Sequence, residues 1–154
     1  QLNREYVLEQ LSHWLEDASQ SKVGHHLKYD AHVLENHGIT LRGMRFDSML
    51  ESYVLDSAAT RHDMDSTARK YLNLETIHFE DVAGKGADQL RFDQVNLDRA
   101  APYAAEDADI TLRLHRKLWP MLEATGSLAQ LYTNIEQPLA FNHKMIVKNQ
   151  NLNH

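Results

Sequence analysis

The sequence predicts a helix-rich α/β domain with about two to four short strands. Through most of the chain, apolar residues recur at the spacing of an amphipathic helix. One short run, Lys22 to His25, instead has the composition of a buried strand that leads into a turn. The length of 154 residues and the 42% content of hydrophobic residues are those of one globular domain.

The first half of the chain is predicted to contain three helices. Residues 29–36 form the second of these, which ends where Gly38 takes the left-handed conformation. Phe46 and Asp47 open the third, because an Asp before an apolar run accepts hydrogen bonds from the free N–H groups of the first turn. The first helix spans residues 2–18, and its apolar side consists of Val7, Leu8, Leu11, Trp14 and Leu15.

The middle of the chain is predicted to be less regular. Asp63 or Asp65 caps a helix that runs to about Leu72. Residues 80–83 form a single helical turn, and residues 84–95 form the least ordered stretch of the chain.

Prolines shape the helices predicted for the last third. Pro102 suits the first turn of a long helix, where its missing N–H has no cost, and this helix is predicted to end at about Ala124. Pro120 is expected to kink or split that helix. Residues 128–148 form a last helix, which is interrupted at Pro138.

The composition argues against several classes of protein. A net charge of −6 disfavours a protein that holds DNA by neutralising many phosphates, but it allows an enzyme that holds a short single strand through metal ions and stacking. The absence of cysteine excludes disulfides and thiolate metal sites. No apolar run reaches the roughly 20 residues that cross a membrane. Since the ten histidines lack the spacing of a metal site, we expect no histidine-bound transition metal.

Asp107 is the most informative residue, because it is an acid on the apolar side of the predicted long helix. Tyr103 precedes it by one turn, so the phenol and the carboxylate point the same way. A carboxylate that loses its solvation needs a positive partner, and a metal ion would provide one. The same Tyr–Asp spacing is also common on helices that bind nothing, so both interpretations stay open. The predicted apolar stripe comprises Asp107, Ile110, Leu114, Leu118 and Met121.

Asp30 is the second candidate, at the junction between the predicted strand and the next helix. An acid at such a junction can bind a metal in a cleft, and it can equally cap the helix. If Asp30 and Asp107 meet in one cleft, they suit two-metal hydrolysis of a phosphodiester by Mg²⁺ or Mn²⁺. Tyr103 would then orient the attacking water by a hydrogen bond.

Two other patterns are interpreted as structural. Asp63 and Asp65 have the spacing of a metal-binding pair, but they directly precede a helical pattern, which favours N-capping. The loop Gly84–Gly86 is too short for a phosphate-binding loop.

Five blocks of sequence resemble the 3′-5′ exonuclease (proofreading) domain of bacterial DNA polymerase I, the Klenow-type large fragment of family A. The resemblance runs from about Leu8 to Leu139. It implies a ribonuclease H-like α/β fold, in which three sequence motifs supply four metal-binding carboxylates. The blocks are KVGxxLKYD (22–30), FDxMLESY (46–53), RHDMDS (61–66), FExxAGKG (79–86) and YAAEDAD (103–109).

The resemblance assigns roles to the candidate acids. It implies that Asp30 belongs to the second motif and Asp107 to the third, and that each helps to hold one divalent metal ion. Tyr103 would position the attacking water, in agreement with the interpretation from its spacing.

The resemblance also implies a surface for the frayed single strand of DNA. Phe79 and Arg61 match positions that contact this strand in the family, and Tyr29 would lie close to it. His26 stands where the family usually has Asn, and we include His25 and His26 among the candidates for DNA contact. A stacking Phe and an Arg directed at phosphate fit binding that does not depend on base sequence.

The chain departs from the family at its first motif. No Asp-x-Glu occurs in the sequence, so two of the four carboxylates and the first strands of the mixed sheet are expected to be missing. Residues 1–126 then correspond to a partial exonuclease domain, and residues 127–154 to the start of the connection to the polymerase domain. We expect such a fragment to have little or no activity alone, and to self-associate through its incomplete sheet.

These inferences lead to expected partners and to one competing hypothesis. The expected partners are the 3′ end of single-stranded DNA and the polymerase domain of a parent chain, in the bacterial cytoplasm at the nucleoid and without a membrane. The competing hypothesis is a catalytically degenerate module that serves as a spacer or binds single strands beside a polymerase. A free-standing RNA-trimming exonuclease of the same superfamily is disfavoured, because it would lack the polymerase-like segment after Ile135.

Overall fold

The computed structural model describes residues 3–59 and 61–141. This part of the chain contains one small parallel sheet and a larger set of helices, so the predicted helix-rich α/β class is confirmed. The strands are β1 (Lys22–Gly24) and β2 (Met44–Asp47). The α-helices are α1 (Arg4–Glu16), α2 (Leu27–Glu35), α3 (Ser48–Leu55), α4 (Met64–Thr67), α5 (Phe79–Ala83), α6 (Leu97–Thr125), α7 (Ser127–Leu131) and α8 (Gln137–Phe141).

The two strands are joined by α2 as a parallel crossover. In their register, Val23 lies beside Phe46 and Gly24 lies beside Asp47. Strand β1 matches the predicted strand to within one residue. Strand β2 was not predicted, because its four residues are too few for an alternating pattern and its last residue, Asp47, is also the N-cap of α3.

Helix α6 differs from its prediction at both prolines. It begins at Leu97, with Asn96 as the N-cap that accepts from the N–H of Asp98, so Pro102 lies beyond the first turn. The helix also continues for 29 residues through Pro120, so the expected split there is wrong. Each proline removes one backbone hydrogen bond, but the buried side chains that α6 presents on both sides of Pro120 hold the helix in place.

Helix α6 contributes to each of three apolar clusters in the described chain. Ala100 packs with Val82, Ala83 and Val95 near its start. Leu122 packs with Val54 and Tyr132 near its end. The middle cluster comprises Ala68, Ile110, Leu114 and Leu118. The residues of α6 are therefore fixed relative to α3, α4 and α5, which matters for any site that α6 carries.

Helix α1 forms as predicted but is only loosely packed. None of its residues is buried, and Tyr6, Leu11 and Trp14 are 62%, 46% and 50% exposed. Of the predicted apolar side of α1, Leu11 and Trp14 are therefore exposed, whereas Val7, Leu8 and Leu15 are half-buried.

The remaining predicted elements agree with the structure in position. Helix α2 begins two residues earlier than predicted, and Gly38 after it has the expected left-handed backbone, with φ of 79°. Residues 84–95 hold only the 3₁₀ turns Gly86–Asp88 and Phe92–Gln94.

The two segments predicted as capped or interrupted helices contain π-helical turns. Asp63 caps α4 as predicted, and the helix continues as the π-helical turn Ala68–Leu72. At the C-terminal end, α7 continues as the π-helical turn Tyr132–Glu136 and then as α8, with Pro138 in its first turn. The rest of the predicted last helix, residues 142–148, lies outside the described residues. In the described part of the chain, no helix is long and apolar enough to cross a membrane.

Candidate functional site

Tyr103 and Asp107 form a side-chain pair on one turn of α6. The Tyr103 hydroxyl interacts with the Asp107 carboxylate, and both side chains are half-buried. Burial raises the pKa of Tyr103, and the negative charge of Asp107 raises it further. The phenol therefore stays protonated at neutral pH and acts as a hydrogen-bond donor.

The predicted apolar stripe on α6 is confirmed in its middle and wrong at one end. Ile110, Leu114 and Leu118 are buried as expected. Met121 is 37% exposed, and Leu122 is buried in its place. Leu122 is buried because this end of α6 packs against Val54 and Tyr132. Asp107 thus lies at the half-exposed end of a buried helical face.

Negative charges surround Asp107. Burial is the largest cause of its raised pKa, and the charges of Glu106 and Asp65 raise it further, while the hydrogen bond from Tyr103 lowers it. The Glu106 carboxylate also accepts from the backbone N–H of Ile77 at 2.6 Å. An acid whose ionisation is opposed by nearby acids is a favourable place for a cation.

Asp65 is a residue whose role the sequence does not reveal. The predicted capping role belongs to Asp63, which accepts from the N–H of Ser66 at 3.0 Å. Asp65 instead accepts from the Thr76 hydroxyl at 2.7 Å and interacts with Nδ1 of His78 at 2.8 Å. These contacts tie the segment that precedes α5 to α4, and so fix the position of Phe79.

Three aromatic rings lie together beside Asp107, and we call Phe79, Phe92 and Tyr103 the ring cluster. The ring centroids of Phe79 and Phe92 are each close to that of Tyr103, at 6.2 Å and 5.8 Å. Phe79 and Phe92 are 6.2 Å apart and remain 37% and 42% exposed. Phe79, the predicted stacking residue, therefore lies next to the Tyr103–Asp107 pair.

The predicted phosphate contact, Arg61, lies on the segment before α4. Its Nε donates to Asp63 at 2.9 Å, and its side chain is 74% exposed. The guanidinium is accessible to a ligand, although one of its donors is already bonded to the cap of α4.

Asp30 lies in the first turn of α2. The interpretation of Asp30 as a helix cap is wrong, because the N-cap position of α2 is His26. Burial raises the pKa of Asp30, the charge of Asp47 raises it further, and His26 acts in the opposite direction.

Asp47 holds the start of α2 as well as that of α3. Its carboxylate accepts from four backbone N–H groups, those of His26 at 3.0 Å, Leu27 at 2.8 Å, Met49 at 3.0 Å and Leu50 at 3.4 Å. His26 has a left-handed backbone with φ of 68°, and its side chain caps nothing. The sequence predicts the cap of α3 but not the cap of α2, which comes from a residue 20 positions further along the chain.

The other predicted DNA contacts lie around the start of α2. Tyr29 is 64% exposed and its ring stacks on that of His26 at 6.0 Å. His25 is half-buried, and its Nδ1 lies 2.9 Å from the Ser48 hydroxyl. Burial lowers the pKa of His25, so this imidazole favours the neutral form.

The described carboxylates fit a hard divalent cation only in part. Their oxygens are the donors that Mg²⁺ and Mn²⁺ prefer. However, Asp30 and Asp107 have different charged neighbours, and within residues 3–59 and 61–141 no group of three or more His, Asp and Glu is placed to hold a metal ion. That the two acids share one cleft stays a prediction.

Comparison with known proteins identifies the family. Residues 1–123 match the family model for the 3′-5′ exonuclease domain. The chain belongs to this exonuclease family. Exonuclease domains of this kind are enzyme domains of DNA polymerases, so the family predicted from the five sequence blocks is confirmed.

Two curated relatives and one solved structure illustrate the similarity. DNA polymerase I of Pseudomonas aeruginosa is 62% identical over 141 residues, which are 90% of this chain and 15% of that protein. DNA polymerase I of Rhizobium leguminosarum is 47% identical over 133 residues, 86% of this chain and 13% of that protein. A structure of the POL domain of Pol1 from M. smegmatis, in complex with DNA primer-template and dNTP, matches with a TM-score of 0.61. It is 24% identical, and the match covers 91% of this chain and 21% of the other. The chain thus spans a small part of the relatives that it matches.

Proposed function

We propose that this chain forms part of a proofreading site, which removes nucleotides from the 3′ end of single-stranded DNA by two-metal hydrolysis. The observation that carries the proposal is the half-buried Tyr103–Asp107 pair beside the exposed ring of Phe79. This arrangement places a hydrogen-bond donor, a carboxylate and a stacking surface within one small region. The parent protein would be a bacterial DNA polymerase I, located in the cytoplasm at the nucleoid.

Each candidate residue has a role in this proposal. Asp107 and Asp30 would hold Mg²⁺ or Mn²⁺, and the bound ions would supply Lewis-acid stabilisation of charge on the phosphate. Tyr103 keeps its proton at neutral pH because its pKa is raised, so its hydroxyl orients a water and does not attack the phosphate.

The DNA contacts are proposed from position and chemistry. Phe79 would stack on an unpaired base, and Arg61 would donate to a phosphate. Tyr29, His26 and His25 would contact the same strand near Asp30, and the exposed Tyr29–His26 stack is the part of this group that is most open to a ligand.

The proposed architecture is a ribonuclease H-like fold whose first strands are not in this chain. The loosely packed α1 supports this idea, because it leaves apolar side chains exposed, and so does the sheet of only two strands. Residues 1–126 would form the exonuclease part, and residues 127–154 would begin the connection to a polymerase domain. The uncovered surface would favour self-association of the isolated chain, which light scattering would detect.

We further propose that the isolated chain hydrolyses DNA slowly or not at all. It contains no Asp-x-Glu, and catalytic groups that act together lose most of their effect when some are missing. The test is release of a label from the 3′ end of a single-stranded oligonucleotide with Mg²⁺. Rapid release that Asp107→Ala abolishes would contradict the proposal of inactivity. Release should appear in an extended chain that carries an Asp-x-Glu strand before residue 1.

Metal binding separates the nuclease from the competing spacer hypothesis. We expect calorimetric titration with Mn²⁺ to show binding that Asp107→Asn and Asp30→Asn each weaken at least about tenfold, because each removes a charged ligand. The matched control is Asp109→Asn, on the same helix, where the carboxylate is exposed and paired with Arg113 at 2.8 Å. No binding, or equal loss in all three variants, would favour the spacer.

A further inference from the structure

The ring cluster contains one aromatic residue that no other argument has assigned. Phe92 lies outside the five sequence blocks, in the 3₁₀ turn Phe92–Gln94. Its ring is 42% exposed although it packs near Tyr103 at 5.8 Å and Phe79 at 6.2 Å. What sets Phe92 apart from the other exposed apolar residues is its place in the ring cluster, beside the Tyr103–Asp107 pair.

The turn that carries Phe92 is well held. The backbone N–H of Val95 donates to the Phe92 carbonyl at 3.1 Å, and the N–H of Arg91 donates to the Gln94 side chain at 3.0 Å. The Val95 side chain is buried against Ala83 and Ala100. The backbone of Phe92 is therefore fixed on the core while its ring stays partly exposed, as expected for a contact residue on a rigid support.

The charge of the chain makes stacking the more important mode of contact here. The chain is acidic overall, and two nearby cations are paired with carboxylates, Arg91 with Asp93 at 3.1 Å and Lys85 with Glu80 at 2.5 Å. An acidic surface gains little from phosphate neutralisation. Aromatic faces bind unpaired bases of any sequence without needing positive charge.

We propose that Phe92 is a DNA-binding residue, which forms with Phe79 a platform of two rings that stack on neighbouring unpaired bases at the 3′ end. This inference rests on the proposed function, because it takes the substrate to be single-stranded DNA. It adds a second base contact to the one proposed for Phe79, and it places the reacting end of the strand beside the Tyr103–Asp107 pair.

The test measures binding of the full chain to a single-stranded oligonucleotide by fluorescence anisotropy. The oligonucleotide carries a fluorophore at its 5′ end and a phosphorothioate at its last linkage, which slows hydrolysis in Mg²⁺. We expect Phe92→Ala and Phe92→Leu to weaken binding about 5- to 150-fold, the effect of losing one base-stacking ring. Phe92→Tyr should restore most of the affinity. The control is Tyr6→Ala, which removes a ring that is 62% exposed on α1 and should leave binding unchanged.

Abasic nucleotides separate direct contact from support of the neighbouring ring. If Phe92 contacts a base, the loss in Phe92→Leu should disappear when one particular nucleotide near the 3′ end is abasic, and that nucleotide should differ from the one for Phe79→Leu. If both variants respond to the same abasic position, Phe92 only supports Phe79 and the proposal is wrong.

Two further measurements complete the test. Melting temperatures show whether each variant is folded. If Phe92→Ala and Phe92→Leu both unfold the chain, Phe92→Met carries the decision, because it keeps most of the volume without the ring: weakened binding in folded Phe92→Met supports the proposal, and unchanged binding overturns it. Unchanged binding in folded Phe92→Ala, with weakened binding in Phe79→Ala, would overturn the role of Phe92 alone. Absence of binding by the wild-type chain would overturn the proposed function as well.

Discussion

Asp107 and Asp30 are held in place in different ways. The partner of Asp107 is Tyr103, one turn earlier on the same helix, so helix α6 alone brings the two side chains together. Asp30 lies on α2, whose first N–H groups are bound by Asp47 at the end of β2. Asp107 therefore depends on local structure, whereas Asp30 depends on the pairing of two strands.

The electrostatic surroundings of the two acids differ as well. Burial is the main cause of the raised pKa in both. The second cause at Asp107 is the charge of Glu106 and Asp65, whereas at Asp30 it is the charge of Asp47. Asp47 thus holds the helix that carries Asp30 and at the same time opposes ionisation of Asp30.

The largest effect that would test this comparison is expected from Asp47→Ala. The change removes the acceptor of four backbone N–H groups at two helix starts. With about 1 kcal/mol for each bond, the free energy of unfolding should fall by about 3–5 kcal/mol. Urea denaturation measures this quantity.

Asp56→Ala is the control for Asp47→Ala. Asp56 follows the other end of α3 and pairs with Lys70 at 2.6 Å on the exposed surface. Because solvent screens this exposed pair, its loss should change the free energy of unfolding much less than Asp47→Ala does. Equal effects of the two substitutions would show that the shared cap is not what holds Asp30.

Local patterns explain why some of this structure could be predicted from the sequence. The cap of α3 by Asp47, the cap of α4 by Asp63 and the buried side of α6 each depend on residues within a few positions of one another. The chemistry of neighbouring residues determines such features, and a single sequence contains it.

Contacts between distant segments explain what could not be predicted. The cap of α2 by Asp47 and the contacts of Asp65 with Thr76 and His78 join residues that lie 11 to 21 positions apart. The start of α6 was also missed, because Pro102 is favoured in a first turn whereas Asn96 supplies the actual cap. The candidate acids were found, but the residues that position them required the structure.

Asp65→Ala should give the next largest effect, and it acts on Asp107. It removes the acceptor of Thr76 and the partner of His78, which are half-exposed, so the free energy of unfolding should fall by about 1–2 kcal/mol.

The same substitution, Asp65→Ala, removes a negative charge that raises the pKa of Asp107, so the pKa of Asp107 should fall. Carboxyl titration by NMR measures the pKa, and Asp109→Ala on the same helix should leave it unchanged. A constant pKa in Asp65→Ala would mean that the charge of Asp65 does not act on Asp107.

The smallest effect concerns the cost of ionising the two acids. Because the fold raises the pKa of Asp107 above its ordinary value of 3.8, the folded chain binds this proton more tightly than the unfolded chain. At pH values above the pKa of the folded state, Asp107 is ionised and lowers the free energy of unfolding. At pH values below 3.8, Asp107 is protonated in both states and has no such effect. Asp107→Asn should raise the free energy of unfolding at pH 7, by less than about 1 kcal/mol because the side chain is only half-buried, and should give no gain at pH 3.

Asp30→Asn should follow the same pH dependence, because burial and Asp47 raise its pKa too. Its gain at pH 7 should depend on Asp47, whereas the gain in Asp107→Asn should not. Urea denaturation at pH 3 and pH 7 of both variants, each alone and combined with Asp65→Asn, measures this difference. The combination should reduce the gain only for Asp107→Asn, since Asp65 raises the pKa of Asp107 and does not act on that of Asp30. A reduced gain for Asp30→Asn would mean that the two acids share one electrostatic environment, which the two-metal proposal would then explain directly.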